Sequence, residues 1–274
     1  MQQQLYETFT QDKHHTTMFN MTSTFWKDRL RASAIHLLIS LCIAAMAAVL
    51  VFLAWYPYPY RDISGGRDLF IILVSVDVVI GPLITLTVFN RGKPAAELRR
   101  DLAVVALLQL VALGYGLWTM FVARPVHLVF EYDRFRVVHA IDVPLELMDR
   151  APASVQALPL SGPTLLALRP FRDQREESEA TLAALQGLSL AARPDLWQPY
   201  DEARQRVLQR ARPVTELKQR SAGKAPTIDP VIARAGRAPE RMVYLPMVGR
   251  QSAWTVLLDA ATADVLDFIA LDSF

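Results

Sequence analysis

The sequence predicts a membrane protein in which three transmembrane α-helices precede a small periplasmic α+β domain with an antiparallel sheet. Three apolar runs, residues 35–55, 69–89 and 102–122, have the length of about 20 residues that a helix needs to cross a bilayer. About 150 residues of mixed polarity follow them. The composition agrees, because 52% apolar residues and a mean hydropathy of +0.21 are high for a soluble protein.

The distribution of basic residues predicts how these spans are oriented. The basic residues before the first run and between the second and third runs are Lys27, Arg29, Arg31, Arg91, Lys93, Arg99 and Arg100. Short loops rich in Lys and Arg stay in the cytoplasm, so the N-terminus is predicted to lie inside. Three crossings then place the C-terminal domain in the periplasm, beyond a bacterial inner membrane. The aromatic residues expected to form a belt at that outer face are Trp55, Tyr56, Tyr58 and Tyr60.

These assignments divide the chain into three parts. They are a cytoplasmic tail (1–33), a transmembrane domain (34–123) and a periplasmic α+β domain (124–274). Residues 1–20 are polar and lack the features of a signal peptide, and we expect them to be disordered. Met21 opens a more typical membrane-protein start, so initiation at Met21 in the native protein is an alternative.

Charge and cysteine content set two limits on function. Residues 1–122 contain 10 basic and 8 acidic residues and residues 123–274 contain 19 of each, so the net charge of +2 belongs to the membrane half. This distribution offers no basic face for a nucleic-acid partner. The only cysteine, Cys42, lies in the first span, and the exported domain is therefore expected to fold without a disulfide.

The periplasmic domain is predicted to have strands at both ends and helices between them. The predicted strands are residues 126–132, 135–140, 242–248, 254–258 and 265–269. Residues 173–186 and 201–211 are predicted to be surface helices. Residues 218–238 mix Gly, Pro and charged residues and are predicted to be a loop with one short helix after Asp229.

Asp77 is the residue in the membrane half that most strongly indicates a function. It lies inside the second span, where a carboxylate costs roughly 2.5 to 3.5 kcal/mol and faces a bundle interior, a partner or a water-filled path. Counting about 1.5 Å per residue from the cytoplasmic boundary places Tyr115 at the same depth, as its expected hydrogen-bond partner. His36 is expected to lie too near the cytoplasmic end to reach Asp77. A structural hydrogen bond and a partner-binding or proton-carrying role remain equal alternatives.

Two further features of the spans allow a packing or a docking interpretation. Gly81 and Pro82 interrupt the second span, and a proline there predicts a kink, which is either simple bending or a binding region. Small residues form stripes on the other two spans, and these are Ser40, Ala44, Ala48, Ala112 and Gly116. Such stripes let helices approach closely, either within this bundle or with a helix of another protein.

The sequence contains none of the motifs HExxH, GxSxG, the Walker loop or the Rossmann glycine pattern. We therefore expect no enzymatic activity, no catalytic residue, no metal site and no cofactor.

Several segments in order along the chain resemble one known family. They are RLRASAIHLLISL, WYPYPYRDISGGRDLF, SVDVVIGPLITLTVFN, KPAAELRRDLAVVALLQL and YLPMVGRQSAWTVLLDAATADVLDFIALDSF. From Met21 to Phe274 the chain resembles the TfpX/TfpZ type IV pilin accessory proteins. The resemblance implies an inner-membrane chaperone or assembly factor whose partners are a type IV major pilin, the lipid bilayer and other pilus assembly proteins.

Joining the resemblance to the layout suggests that the small-residue stripes and the region of Asp77, Gly81 and Pro82 receive the pilin helix while the exported domain contacts the pilin head. Two alternatives stay open. Asp77 with Gly81 and Pro82 also fits a subunit of a proton-coupled transporter, and the biology that the resemblance implies also includes pilin-modifying enzymes.

Overall fold

The computed structural model describes residues 2–274, with side chains from Trp26 onward. The predicted disorder of residues 1–20 concerns a segment outside the part of the chain whose side chains are described, and it stays a prediction, as does initiation at Met21.

Three helices in the described part of the chain are long and apolar enough to cross a membrane, which confirms the predicted fold class. They are Trp26–Trp55, Gly66–Val88 and Ala95–Val122. Their elements, with the short helix between the first two, are α1 (Gln2–Val49) and its π-helical continuation Leu50–Trp55, α2 (Tyr60–Ile63), α3 (Gly66–Ser75), the π-helical turn Val76–Ile80, α4 (Gly81–Val88) and α5 (Ala95–Val122). This protein is a membrane protein.

The chain forms two compact units. The helical unit comprises the chain up to Ala48 and Phe70–Trp118, and the C-terminal unit comprises Val49–Leu69 and Thr119–Phe274. The loop after the first span therefore clusters with the C-terminal domain. The domain boundaries predicted at residues 33/34 and 123/124 stay a prediction.

The Gly81-Pro82 interruption coincides with the change from π-helical to α-helical geometry. Pro82 lies in the first turn of α4, directly after the π-helical turn Val76–Ile80. Proline has no N–H and its ring clashes with the carbonyl four residues earlier, so the preceding turn cannot keep regular α-helical hydrogen bonds. Asp77 lies in this π-helical turn, a geometry that often marks functional sites.

The C-terminal unit is built on one sheet of eight strands. The strands are β1 (Pro125–Glu131), β2 (Arg134–His139), β3 (Thr164–Leu168), β4 (Trp197–Pro199), β5 (Arg212–Pro213), β6 (Met242–Val248), β7 (Ala253–Asp259) and β8 (Val265–Ile269). The helices are α6 (Gln174–Leu185), α7 (Arg204–Arg210), α8 (Val214–Arg220) and α9 (Ala225–Ala235). The predicted strands and the two predicted surface helices are all present.

The sheet is mostly antiparallel, as predicted, with strand order β4-β3-β1-β2-β6-β7-β8 and β5 on β6. Two pairs, β1 with β3 and β2 with β6, are parallel. Strands β3, β4 and β5 were not expected from the sequence. β4 and β5 have only three and two residues, which is too short for an alternating pattern.

The loop after the first span contributes to the core of the C-terminal unit. Tyr60 and Ile63 are buried among Phe135, Leu245 and other sheet residues. Tyr56 is fully buried, and its hydroxyl donates to the Met120 carbonyl at 3.1 Å. The predicted aromatic belt is therefore wrong for Tyr56 and Tyr60, because their rings serve a protein core instead of a membrane interface.

The loop predicted at residues 218–238 is mainly helical. The buried side chains of α8 and α9 that pack on β6, β7 and β8 are Val214, Leu217, Ile228, Val231 and Ile232. These positions have the spacing of three and four residues that places apolar groups on one helix face. Pro226 is tolerated in the first turn of α9, and Gly236 ends the helix at a φ of +65°.

Candidate functional site

The candidate site lies in the helical unit around Asp77. The Asp77 side chain is only 8% exposed, and its Oδ1 atom has no hydrogen-bond partner among the residues that the structure describes. Asp77 lines a cavity of about 220 Å³ together with His36, Ser40 and Gln109. The remaining lining is aliphatic, including Ala44. Burying a carboxylate oxygen in such surroundings without a hydrogen-bond donor costs free energy.

Gln109 on α5 connects the polar groups of the three helices. Its Nε2 donates to the Asp77 carbonyl at 3.2 Å, and its Oε1 lies 2.7 Å from Nε2 of His36. The amide oxygen can only accept, so His36 Nε2 carries a proton in this arrangement. A Cβ at Gly81 would collide with the Gln109 side chain, so the absence of a side chain at Gly81 allows the amide to reach α4.

Two further hydrogen bonds connect α1 to α4. His36 Nδ1 lies 2.5 Å from Oγ1 of Thr85, within hydrogen-bond distance. Ser33 Oγ donates to the Pro82 carbonyl at 2.9 Å. Each ring nitrogen of His36 therefore has a polar partner within the bundle.

Two predictions about the surroundings of Asp77 are wrong. The Tyr115 side chain is 73% exposed, and Gln109 is the polar side chain on α5 that reaches Asp77. His36, predicted to lie too far away, lines the same cavity. The prediction assumed that the three spans reach equal depth at Ile35, Phe89 and Leu102. The hydrogen bonds of Ser33 with Pro82 and of His36 with Thr85 show instead that α1 is shifted along its axis relative to the second span.

The small residues predicted as stripes lie in different environments. Ser40 is buried and Ala44 is half-buried at the Asp77 cavity. Gly116 packs against Leu73, where a Cβ would collide. The remaining two predicted positions differ, since Ala48 is half-buried and Ala112 is exposed. Packing within the bundle thus accounts for Gly116, whereas Ser40 and Ala44 line the cavity.

The apolar side chains of α5 are unusually exposed within this unit. Only 6% of its most apolar stretch is buried, compared with 17% and 22% for the other two spans. The residues of α5 that are more than half exposed include Val104, Leu107, Leu108, Leu110, Val111 and Trp118. Lipid or another apolar helix must cover this surface in a membrane.

The chemistry available at this site is hydrogen bonding. Among residues 26–274, no group of three or more His, Cys, Asp or Glu side chains could hold a metal ion. Gln109 was not among the predicted site residues, although it is the only side-chain amide in the apolar run 102–122 and this was the available signal. Thr85 and Ser33 gave no comparable signal, because hydroxyls are common in transmembrane helices.

Comparison with known proteins identifies similar chains. The family model of fimbrial assembly protein FimB matches residues 24–65, a segment that contains His36, Ser40 and Ala44. The fimbrial assembly protein of serogroup I from Dichelobacter nodosus is 32% identical over 246 residues, which is 89% of this chain and 95% of that protein. The serogroup E1 protein from the same organism is 31% identical over 246 residues, which is again 89% of this chain and 95% of that protein.

A third relative covers less of the chain. The fimbrial assembly protein of serogroups C1 and C2 from Dichelobacter nodosus is 39% identical over 121 residues, which is 44% of this chain and 92% of that protein. No solved structure matches the chain.

Proposed function

The chain belongs to the fimbrial assembly protein family, and we propose that it is a non-enzymatic accessory factor or chaperone of the bacterial inner membrane that binds a type IV pilin before assembly. The resemblance to the TfpX/TfpZ accessory proteins supports the choice of pilin as partner. The proposed orientation has the N-terminus in the cytoplasm and the C-terminal domain in the periplasm.

The observation that carries this proposal is the unpartnered carboxylate oxygen of Asp77 beside an apolar cavity. A buried carboxylate oxygen without a donor is costly in a membrane, so a donor supplied by a partner would be bound strongly. A pilin before assembly is an apolar membrane helix with a globular head. We infer that the pilin helix lies along the face of α1 that includes Ser40 and Ala44 and supplies that donor.

The exposed surface of α5 supports a partner in the membrane. Lipid can cover its aliphatic groups, but a helix can pack against them and place polar groups near Gln109 and Asp77 at the same time. The C-terminal domain would contact the pilin head, since both project on the same side in the proposed orientation.

Site-specific photocrosslinking in membranes tests the proposed docking face. Ile39 is 53% exposed and lines the Asp77 cavity, whereas its neighbour Leu38 is 63% exposed and does not line it. We expect a benzoylphenylalanine probe at Ile39, and at Ala44, to capture pilin and the matched probe at Leu38 to capture lipid only. Equal capture at Ile39 and Leu38, or capture at neither, would contradict the proposed face.

The contact with the pilin head needs its own probes. Tyr132 in the β1–β2 turn and Ile141 after β2 are 55% and 59% exposed, and they offer apolar contacts on the C-terminal domain. Capture of pilin at either position would support a two-part contact. Capture at Ile39 without capture at any probe on this domain would restrict the proposal to the pilin helix.

The polar cluster around Asp77 also keeps a transporter subunit as a second candidate. His36, Gln109 and Asp77 form a short polar connection within the bundle. Proton flux into liposomes that depends on Asp77 would favour this candidate over pilin binding. A change in the intact mass of pilin that requires this protein would instead indicate a modifying enzyme.

A further inference from the structure

A second cavity, of about 280 Å³, lies in the C-terminal unit where strands β2 and β6 separate. These parallel strands pair only at Phe135 with Met247 and at Arg136 with Val248. β6 ends there, whereas β2 continues to His139. The cavity lies along the part of β2 that β6 does not reach, and Ser189 and Arg250 from two loops also line it.

Two buried polar atoms at this cavity lack partners. His139 is 2% exposed, and its Nδ1 lies 3.2 Å from Asp142 Oδ2, but its Nε2 has no hydrogen-bond partner among the described residues. The buried Oγ of Ser189 has none either. The two atoms are therefore not bonded to each other, which argues against a preformed serine nucleophile and leaves a group from elsewhere to satisfy both.

The remaining polar groups of the cavity are mainly hydrogen-bond donors. Arg136 uses its Nε on Glu131 at 2.8 Å, and Arg250 uses an Nη2 on Asp142 at 2.9 Å. A guanidinium has five N–H donors, so both can serve a further acceptor. The carboxylate of Asp142 already accepts from the backbone N–H of His139 and from Arg250. The surplus of donors favours an acceptor-rich ligand.

The charges around the cavity form two ion pairs, and both guanidinium groups keep N–H donors for an acceptor on the ligand. Arg136 is matched by Glu131 and Arg250 by Asp142. Burial alone would raise the pKa of Asp142, but the hydrogen bond from His139 and the charge of Arg250 outweigh burial and hold that pKa below its usual range. Asp142 is thus ionised. The His139 side chain accepts from the backbone N–H of Asp142, and because Nε2 has no partner the accepting atom is Nδ1, which leaves the ring proton on Nε2 as a donor for a ligand.

We propose that this cavity binds a carboxylate group, which accepts hydrogen bonds from His139 Nε2 and Ser189 Oγ. The carboxylate comes either from a free small carboxylic acid or from an acidic side chain of a partner polypeptide. The volume suits a ligand of side-chain size. This inference is independent of the proposed function, because it concerns the C-terminal unit alone and does not require a pilin.

Nuclear magnetic resonance of the full-length protein in detergent micelles tests the inference. The chain has five histidines, so His139→Gln identifies the signal of the labelled His139 ring. Propionate and the N-methylamide of N-acetylglutamate are the carboxylate probes, and propionamide and the N-methylamide of N-acetylglutamine are their uncharged controls. We expect saturable shifts of the His139 signal with the carboxylates only.

The two carboxylate probes also distinguish the sources. Tighter binding of the glutamate derivative would identify a polypeptide side chain as the ligand, and equal binding of propionate would identify a free acid. No saturable shift with either carboxylate, or equal shifts with the amides, would overturn the proposal.

Ser189→Ala provides the test of geometry. Loss of one hydrogen bond to a charged acceptor should weaken carboxylate binding about tenfold. Without ligand, this variant should keep its thermal midpoint, because the Ser189 hydroxyl bonds to nothing in the described structure. Ser178→Ala on the exposed face of α6, where the hydroxyl bonds Gln174, is the matched control with unchanged affinity. Unchanged affinity in Ser189→Ala would contradict the assigned contact.

Discussion

The side-chain amide of Gln109 donates to the backbone carbonyl of Asp77 at 3.2 Å and so connects the third span of the bundle to the second. The same amide accepts from His36 on the first span. One side chain thus joins all three helices at the π-helical turn.

Replacing Gln109 should destabilise the helical bundle. Gln109→Leu leaves His36 Nε2 and the Asp77 carbonyl without their partner, and each unsatisfied buried group costs about 1 to 3 kcal/mol. Thermal unfolding in detergent should show a lower midpoint, whereas Leu108→Ala on the exposed side of α5 should change it little. A double-mutant cycle with His36→Leu should show coupling, and additive effects would mean that the His36–Gln109 contact contributes nothing.

Replacing Asp77 should affect pilin binding more than folding. Asp77→Asn keeps the size of the side chain and removes the charge of an atom that has no partner in the described structure, so protein levels in the membrane should not fall. Pilin capture at Ile39 should decrease strongly. Asp68→Asn, at the exposed start of α3, is the control that should leave capture unchanged. Full capture and normal piliation in Asp77→Asn would leave this carboxylate a structural role only.

The C-terminal domain should lose stability in mild acid through His127. His127 is fully buried between Thr164 Oγ1 at 2.6 Å and the Ala157 carbonyl at 2.9 Å, and burial lowers its pKa to about 4, against the opposing effect of the Ala157 hydrogen bond. The folded state therefore favours neutral His127. The contribution of neutral His127 to the free energy of unfolding is fully present above the unfolded pKa of about 6.5. It is lost as the pH falls toward 4.

The loss should approach about 3 kcal/mol at pH 4, since each unit of pKa difference corresponds to about 1.4 kcal/mol. Denaturant unfolding of the full chain between pH 4 and 7 would measure it. A His127→Gln variant should show a shallower pH dependence by about one proton. An identical slope in both proteins would show that His127 does not bind its proton differently on unfolding.

The guanidinium group of Arg124, just after the end of α5, should be required for the stability of the folded protein. It is 4% exposed, donates from Nε and Nη2 to the Pro159 carbonyl at 3.2 and 3.1 Å, and donates from Nη1 to the Phe121 carbonyl at 2.7 Å. Arg124→Lys keeps the charge but cannot make the forked contact, and should lower stability by about 1.5 to 3 kcal/mol. Arg175→Lys, at a side chain that is 87% exposed, should leave stability unchanged. Equal thermal midpoints for the two variants would contradict this role.

The proposed orientation predicts where a C-terminal reporter is active. Alkaline phosphatase fused after Phe274 should be active, because that enzyme folds only in the periplasm. The same reporter fused after Gly92, in the basic loop between the second and third spans, should be inactive. The reverse pattern would place the C-terminal domain in the cytoplasm and remove the proposed contact with a pilin head.

Much of the fold could be predicted because its signals are local. A run of about 20 apolar residues, or an alternating strand such as Met242–Val248, carries its own evidence. The helix Ala225–Ala235 was predicted only after Asp229, because its prolines resemble loop signals, although its buried face has helical spacing. At the site, Asp77 could be identified because a carboxylate inside a membrane costs free energy. Its neighbours His36 and Gln109 could not be identified in this way.

The sequence by itself determined three apolar spans, a mostly antiparallel C-terminal sheet and a carboxylate where a bilayer tolerates few. Only the tertiary structure decided that Gln109 and His36, not Tyr115, surround Asp77, and that Tyr56 and Tyr60 belong to a protein core. The physical reason is that the length of an apolar run shows only that the segment is removed from water. Which groups meet depends on where each helix begins and how it is rotated, and packing between helices sets both.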